Sequence, residues 1–261
     1  MGREQRPASV ANSDSVLHAS PIEEGTRMEW NDIRRAAAIF AHPDDGEFGS
    51  AGTVAKMTAD GKDVVYVVVT DGSKGSADPD ARPAELVATR QREQRAAGEL
   101  LGLEDVCFLN FPDGMLEPNL ELRKAITAAI RRYKPDVVIA QSPIRDLAAS
   151  IFVQHPDHLA TGEATFAAVY PCCRDRLTFP ELLAEGLEPH IVRELWVAGT
   201  VQADHFIDIS GFIDQKVAAL MAHASQVRES LRDMIPERAR TVGEPHGMGY
   251  AEGFKRIQLP G

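Results

Sequence analysis

The stretch DVVYVVVT, residues 63–70, decides the fold class. Its apolar side chains follow one another without the alternation expected of a strand that has one face in water. Such a run predicts a strand buried on both faces, which is typical of parallel sheets covered by helices. Residues 50–61 and 82–102, on either side, have helical periodicity. The order of helix, strand and helix therefore predicts βαβ units in an α/β chain.

The same alternation continues toward both ends of the chain. Further strands are predicted at residues 36–42, 105–110, 135–141, 192–199 and 205–210. Further helices are predicted at residues 119–134, 158–170 and 211–234, the last as one long amphipathic helix before a glycine-rich tail. This pattern predicts a Rossmann-like, doubly wound and mostly parallel sheet.

The length and composition predict one domain preceded by an arm. The chain has 261 residues, of which 44% are hydrophobic and 26% charged, as in ordinary globular proteins. Residues 1–30 are polar and lack periodicity, so they are predicted to form a flexible N-terminal arm. Residues 31–261 are predicted to form a single α/β domain.

The net charge and the cysteine content restrict the kinds of partner and the cellular compartment that we expect. A net charge of -11 repels phosphate backbones, so no nucleic acid partner is expected. No apolar run is long enough to predict a membrane span. Cys107, Cys172 and Cys173 are an odd number, and two are adjacent, which favours a reducing cytoplasm. The oligomeric state stays open, a homo-oligomer included.

Ionisable side chains crowd the ends of two predicted strands. The loop after the first strand contains His42, Asp44, Asp45 and Glu47, and HPDH at residues 155–158 follows the fourth. Ligands of open parallel sheets bind beyond the carboxyl ends of the strands. Histidine and carboxylate are zinc ligands, and the two clusters offer more of them than a three-ligand site needs. The alternatives to a zinc site are an ion pair at a helix N-terminus for the first cluster and a solvated histidine pair at a helix start for the second.

The two clusters resemble the motifs of the LmbE-like, or GlcNAc-phosphatidylinositol de-N-acetylase (PIG-L), family of zinc-dependent amide hydrolases. The first family motif, A-H-P-D-D-x-E with a small-residue tail, is matched by AHPDDGEFGSAGT at residues 41–53, and the second by HPDH. The resemblance extends from about Ile33 to the C-terminus. It implies the Rossmann-like fold and an amide hydrolase.

The resemblance also implies roles for five residues of the two motifs. His42, Asp45 and His158 become the ligands of one Zn²⁺ per chain, with Fe²⁺ as the alternative metal. Asp44 becomes the general base that activates water and later protonates the departing amine. His155 becomes the residue that stabilises the tetrahedral oxyanion.

Residues outside these roles are assigned less directly. By resemblance, Arg90 and Asp113 hold the sugar hydroxyls. Asp157 is interpreted as a carboxylate that orients a histidine ligand. Glu47 is interpreted either as orienting a ligand or as an acid in a first helical turn. Val153 stands where some family members have a tyrosine, so a tyrosine-assisted mechanism is not expected.

The function implied by the resemblance is removal of an N-acetyl group from an N-acetylglucosamine-type sugar or conjugate, a small-molecule substrate. One alternative is an amidase that cleaves a larger amide, such as a glucosaminyl thiol conjugate. A nucleotide-binding module would need a glycine-rich turn after the first strand, where ionisable side chains stand instead. A metal-binding protein without activity would have lost the base, but Asp44 is present.

Overall fold

A computed structural model describes residues 27–260. Most of the predicted N-terminal arm, residues 1–26, lies outside this range. Met28 belongs to the packed domain, because it is 4% exposed and its backbone N–H donates to Glu194 Oε1 at 2.8 Å. The helices in this range do not include one that is long and apolar enough to span a membrane.

The strands form one seven-stranded sheet, in the order β3-β2-β1-β4-β5-β7-β6. Their bounds are β1 Arg35–Phe40, β2 Asp63–Thr70, β3 Asp105–Phe111, β4 Val137–Gln141, β5 Glu194–Ala198, β6 His205–Asp208 and β7 Ala251–Gln258. The first five strands are parallel, and β7 pairs antiparallel with both β5 and β6. The predicted doubly wound, mostly parallel sheet is therefore confirmed.

The position of β1 fixes where a ligand can bind. The chain proceeds from β1 outward through β2 and β3, and then returns to place β4 on the other side of β1. This reversal creates a crevice beyond the carboxyl ends of β1 and β4, the usual binding place in such sheets. The two predicted clusters follow these two strands.

Helices cover both faces of the sheet. Their bounds are α1 Asp45–Gly49, α2 Ala51–Ala59, α3 Pro83–Leu101, α4 Leu120–Tyr133, α5 Pro156–Ala167, α6 Glu181–Ala184, α7 Ile213–Met221 and α8 Leu231–Gly243. Alternate residues of β1 face the two layers: Phe40 packs with α2 and α3, and Ile39 packs with α4 and α5. The continuous apolar pattern of the parallel strands follows from this double burial.

The prediction of a single helix over residues 211–234 is wrong. Helix α7 ends at Met221, a turn follows, and α8 begins at Leu231 and continues to Gly243. Within the glycine-rich tail, residues 251–258 form β7 inside the sheet, a strand that the sequence pattern does not predict. The turn after α7 carries His223, which is fully buried.

Helix α5 lies very close to the end of β4. It begins at Pro156, two residues before the predicted start, so His158 is in its first turn. A Cβ on Gly162 would lie 2.7 Å from the carbonyl oxygen of Gln141, so the close approach requires glycine. This packing brings the second cluster against the loop after β1.

Candidate active site

The three predicted metal ligands meet beyond the ends of β1 and β4. His42 Nδ1 lies 3.2 Å from His158 Nε2. Asp45 Oδ2 is 3.3 Å from His42 Nδ1, and Asp45 Oδ1 is 3.1 Å from His158 Nε2. Each of these side chains is 11% or 12% exposed, so the cluster is enclosed but open to solvent on one side.

These distances fit a zinc ion. Ligand atoms about 2.0–2.1 Å from a tetrahedral zinc are separated by about 3.3 Å. The His42 and His158 nitrogens are 3.2 Å apart, and Asp45 approaches them with its two oxygens, Oδ2 at 3.3 Å from His42 Nδ1 and Oδ1 at 3.1 Å from His158 Nε2, so each separation has this size. Two imidazoles and one carboxylate are also a donor set that zinc accepts with a further position left for water. The residues present therefore fit a catalytic zinc site.

Two carboxylates face the other nitrogen of His42. Its Nε2 is 3.1 Å from Asp113 Oδ1 and 3.2 Å from Asp157 Oδ2. Carboxylates that accept a hydrogen bond from Nε2–H keep the ring proton on Nε2, so that the Nδ1 lone pair is left for a metal. Burial lowers the pKa of His42, but hydrogen bonds to Asp113, Asp157 and Asp45 outweigh burial and raise that pKa to about 12. The ring of carboxylates thus favours a cation at this position.

Asp157 is held in place by the backbone of the loop after β3. It is fully buried, and it accepts the N–H groups of Gly114 at 2.6 Å and Leu116 at 3.2 Å. The contact of Asp157 with His42 is the one expected of an orienting carboxylate. These three bonds fix the direction in which His42 Nδ1 points.

Asp113 contacts His42 rather than facing open space. It is 5% exposed, and its Oδ2 accepts the backbone N–H of Lys74 at 2.9 Å. Burial raises the pKa of Asp113, but the hydrogen bonds from His42 and the Lys74 N–H, with the positive charges of His42 and Arg90, together outweigh burial and bring that pKa to about 2. A role of Asp113 in holding sugar hydroxyls stays a prediction.

Asp44 has a backbone conformation that its neighbour Asp45 does not share. Its φ is 99°, in the left-handed region, whereas Asp45 begins helix α1. Asp45 therefore faces His42 and His158, and the Asp44 carboxylate lies instead 3.4 Å from Arg90 Nη2. Burial, followed by repulsion from Asp45, raises the pKa of Asp44 to about 7.

Arg90, which lies beside Asp44, makes hydrogen bonds to two loops. The residue is 4% exposed, with Nη1 donating to the Gly72 carbonyl at 3.0 Å and Nη2 donating to the Pro43 carbonyl at 2.7 Å. These bonds hold the loop after β1 against the loop after β2. The predicted contact of Arg90 with sugar hydroxyls stays a prediction.

His155 caps helix α5 with one nitrogen. Its Nδ1 accepts the backbone N–H of Asp157 at 3.2 Å. The neutral ring therefore carries its proton on Nε2. Burial, with repulsion from His42, lowers the pKa of His155, which favours the neutral form. Its ring centroid is 4.9 Å from that of His42, so His155 borders the cluster.

Comparison with known proteins identifies the family. The family model "PIG-L: GlcNAc-PI de-N-acetylase" matches residues 37–169, a range that contains both histidine clusters. Diacetylchitobiose deacetylase of Thermococcus kodakarensis is 33% identical over 252 residues, covering 94% of this chain and 92% of the relative. The chain belongs to the PIG-L family.

Two further relatives support this membership. A 1D-myo-inositol 2-acetamido-2-deoxy-alpha-D-glucopyranoside deacetylase of Kineococcus radiotolerans is 26% identical, covering 94% of this chain and 83% of the relative. The solved N,N'-diacetylchitobiose deacetylase of Pyrococcus horikoshii has a TM-score of 0.81 at 29% identity, covering 88% of this chain and 85% of that one. Proteins with deacetylase names thus match 88–94% of this chain.

The sequence motifs of the PIG-L family do not reveal every residue of this site. Gln141, the last residue of β4, accepts the Ala41 N–H at 3.0 Å and donates to Asp45 Oδ2 at 3.1 Å. A polar residue at the end of an otherwise apolar strand was the available signal. Gln94 accepts the Asp44 N–H at 3.0 Å, and its only signal was its spacing of four residues from Arg90.

Proposed function

We propose that this chain is a zinc-dependent N-deacetylase that releases acetate from an N-acetylglucosamine-type sugar or conjugate. The observation that carries the proposal is the cluster of His42, Asp45 and His158, in which the two histidine nitrogens lie 3.2 Å apart and each is 3.1–3.3 Å from one oxygen of Asp45, beside a second aspartate outside it. The relatives support the substrate class, because their names describe deacetylases of diacetylchitobiose and of an acetamido-glucopyranoside.

The chain contributes the ligand set and the means of holding it. His42, Asp45 and His158 would hold the zinc ion, which supplies positive charge that lowers the pKa of water and polarises a carbonyl. Gln141 fixes one Asp45 oxygen, and Asp113 and Asp157 fix the His42 ring. The ligands are thus oriented before metal arrives, which reduces the cost of binding.

Asp44 is the general base of the proposed reaction. It takes a proton from the attacking water as the water oxygen bonds to the amide carbon. When the bond between that carbon and nitrogen breaks, Asp44 returns the proton to the amine, so that acetate and a free amino sugar leave. Asp45 cannot share this role, because its oxygens face His42, His158 and Gln141.

His155 is the proposed donor to the oxyanion. Its Nδ1 is occupied by the Asp157 N–H, so the proton on Nε2 is available to a ligand. A neutral imidazole in this position donates a hydrogen bond to the oxygen on which negative charge develops. Arg90 and Asp113 complete the proposal as the residues that position the sugar.

The proposal is tested by amine release from N-acetylated sugars. The substrates are free N-acetylglucosamine, N,N'-diacetylchitobiose and a bulky N-acetylglucosaminide, each with zinc-loaded and chelator-treated protein. We expect release of a primary amine and an equal amount of acetate only when zinc is bound. Absence of release from every substrate by protein with one bound zinc per chain would overturn the proposal.

A further inference from the structure

A line of buried polar side chains leads from Asp44 away from the metal cluster. Gln94 Oε1 accepts the Asp44 backbone N–H at 3.0 Å, and Gln94 Nε2 donates to Glu47 Oε1 at 2.9 Å. The second oxygen of Glu47 lies 3.2 Å from His223 Nε2. Gln94 is 1% exposed, and Glu47 and His223 are fully buried, so water does not compete for these contacts.

The line has a fixed direction. The Asp44 backbone N–H can only donate a hydrogen bond, so the amide oxygen of Gln94 must face it. The amide nitrogen of Gln94 is then directed toward Glu47 Oε1. His223, in the turn after α7, places its Nε2 3.2 Å from the second Glu47 oxygen, so each oxygen of this buried carboxylate has a polar neighbour. Residues of three segments, α1, α3 and the turn after α7, thus determine that the Asp44 N–H faces the amide oxygen of Gln94.

The Asp44 N–H is the group that needs such an acceptor. A φ of 99° is a conformation that side chains other than glycine adopt at a cost, and it persists where the surroundings enforce it. This conformation is also what separates the direction of the Asp44 carboxylate from that of Asp45. Loss of the acceptor would let the loop relax and move the carboxylate.

We propose that Gln94, Glu47 and His223 are positioning residues that hold the backbone of Asp44 in its left-handed conformation and so aim its carboxylate. The inference rests on the proposed function, because Asp44 must be the base for its aim to matter. None of the three touches the ligand set through its side chain in the contacts described above. They act on the reaction through Asp44.

The first test replaces Gln94 by a residue of similar size that makes neither hydrogen bond. Displacement of a reacting group by about 1 Å costs about 10²-fold in rate, so kcat of Gln94→Met should fall by about that factor. KM and zinc content should stay at the wild-type values, because neither the substrate nor the metal is contacted. The matched control is Gln91→Met on the same helix, which loses only a hydrogen bond to Asn110 and should keep wild-type kcat.

The second test exchanges the two partners. Gln94→Glu alone sets two carboxylates 2.9 Å apart and should lower kcat as far as Gln94→Met does. In the double variant Gln94→Glu/Glu47→Gln, the carboxylate of residue 94 again accepts the Asp44 N–H. The amide of residue 47 now donates to the carboxylate of residue 94. We expect kcat of the double variant to recover most of the loss, a result that altered folding alone would not produce.

The outcomes separate this inference from the proposed function. Wild-type protein without turnover means that the proposed function has failed. Turnover by the wild type with unchanged kcat in Gln94→Met overturns the positioning role alone. A fall in zinc content or melting temperature of Gln94→Met that accounts for the whole loss of kcat, without recovery in the double variant, also overturns it.

Discussion

Two consecutive aspartates have different surroundings because one backbone angle changes between them. Asp45, in the first turn of α1, faces His42 and His158, whereas Asp44 is left-handed and faces Arg90. The same residue type can therefore serve as metal ligand at one position and as base at the next. Substitution at each position should separate the two roles.

Asp44→Asn should keep the metal and lose turnover. Asparagine tolerates positive φ better than other residues except glycine, so the loop should keep its conformation. An amide cannot accept the proton of water, and kcat should fall by about 10²–10⁴-fold. Zinc content by atomic absorption should equal that of the wild type. A variant without zinc would show that the roles of Asp44 and Asp45 are wrongly divided.

Asp157→Asn should weaken metal binding without removing a ligand. The carboxylate fixes the His42 ring through Nε2, and loss of such an orienting partner costs about 10–100-fold in metal affinity. Competition with a fluorescent zinc chelator measures this change. Asp233→Asn on the exposed face of α8 is the matched control and should bind zinc as the wild type does. Equal affinity in both variants would contradict the orienting role.

The residues of the cluster were predictable only where the chain brings them close together. His42 with Asp45, and His155 with His158, are neighbours in sequence at strand ends, where a general topological rule applies. Asp113, which only the family resemblance singled out, and Gln94 reach the site from distant segments. A single aspartate or glutamine without a local pattern carries no signal, because its role depends on tertiary contacts.

A buried ion pair from the C-terminal part of the chain contacts both the end of α1 and the start of α2. Lys216 Nζ lies 2.6 Å from Glu252 Oε1 and also donates to the carbonyl oxygens of Glu47 and Phe48 at the end of α1. Glu252 in turn accepts the N–H groups of Gly52 and Thr53 at the start of α2. The pair therefore terminates one helix and starts the next.

Glu252→Gln should destabilise the fold strongly. It leaves the buried Lys216 ammonium without a counter-charge, and breaking such a pair costs about 3–5 kcal/mol in the free energy of unfolding. Urea unfolding of the apoprotein measures this change. The double variant Lys216→Met/Glu252→Gln removes both charges and should recover part of the loss. A double variant less stable than Glu252→Gln would show that the charge is not the cause.

The elements that sequence patterns predicted are those with strong local periodicity. Strands β1 to β6 and helices α2 to α5 are found near their predicted positions. The turn after α7 was missed because residues 222–230 continue an amphipathic pattern and contain neither glycine nor proline to mark the end of the helix. Strand β7 was missed because AEGFKRIQ has weak alternation and depends on its neighbours β5 and β6.

The topology of the whole domain brings two distant segments together at the proposed metal site. His42 and Asp45 come from the half of the sheet that contains β1 to β3, whereas His158 follows β4. A ligand that binds the folded state and not the unfolded chain stabilises the former in proportion to the logarithm of its concentration. Zinc should therefore act as a crosslink between the two halves of the sheet. Its effect on thermal stability should require the ligands from both halves.

Zinc at about 100 times its dissociation constant should add about 2.7 kcal/mol to the free energy of unfolding. For a domain of this size each kcal/mol raises Tm by about 2–4 °C, so calorimetry should show an increase of roughly 5–10 °C over chelator-treated protein. His158→Ala should lose this increase, because only one half of the sheet can then bind the metal. His246→Ala, which changes an exposed histidine stacked on Phe206, should keep the full increase. An increase in His158→Ala as large as in the wild type would remove His158 from the ligand set, and with it the crosslink between the two halves of the sheet.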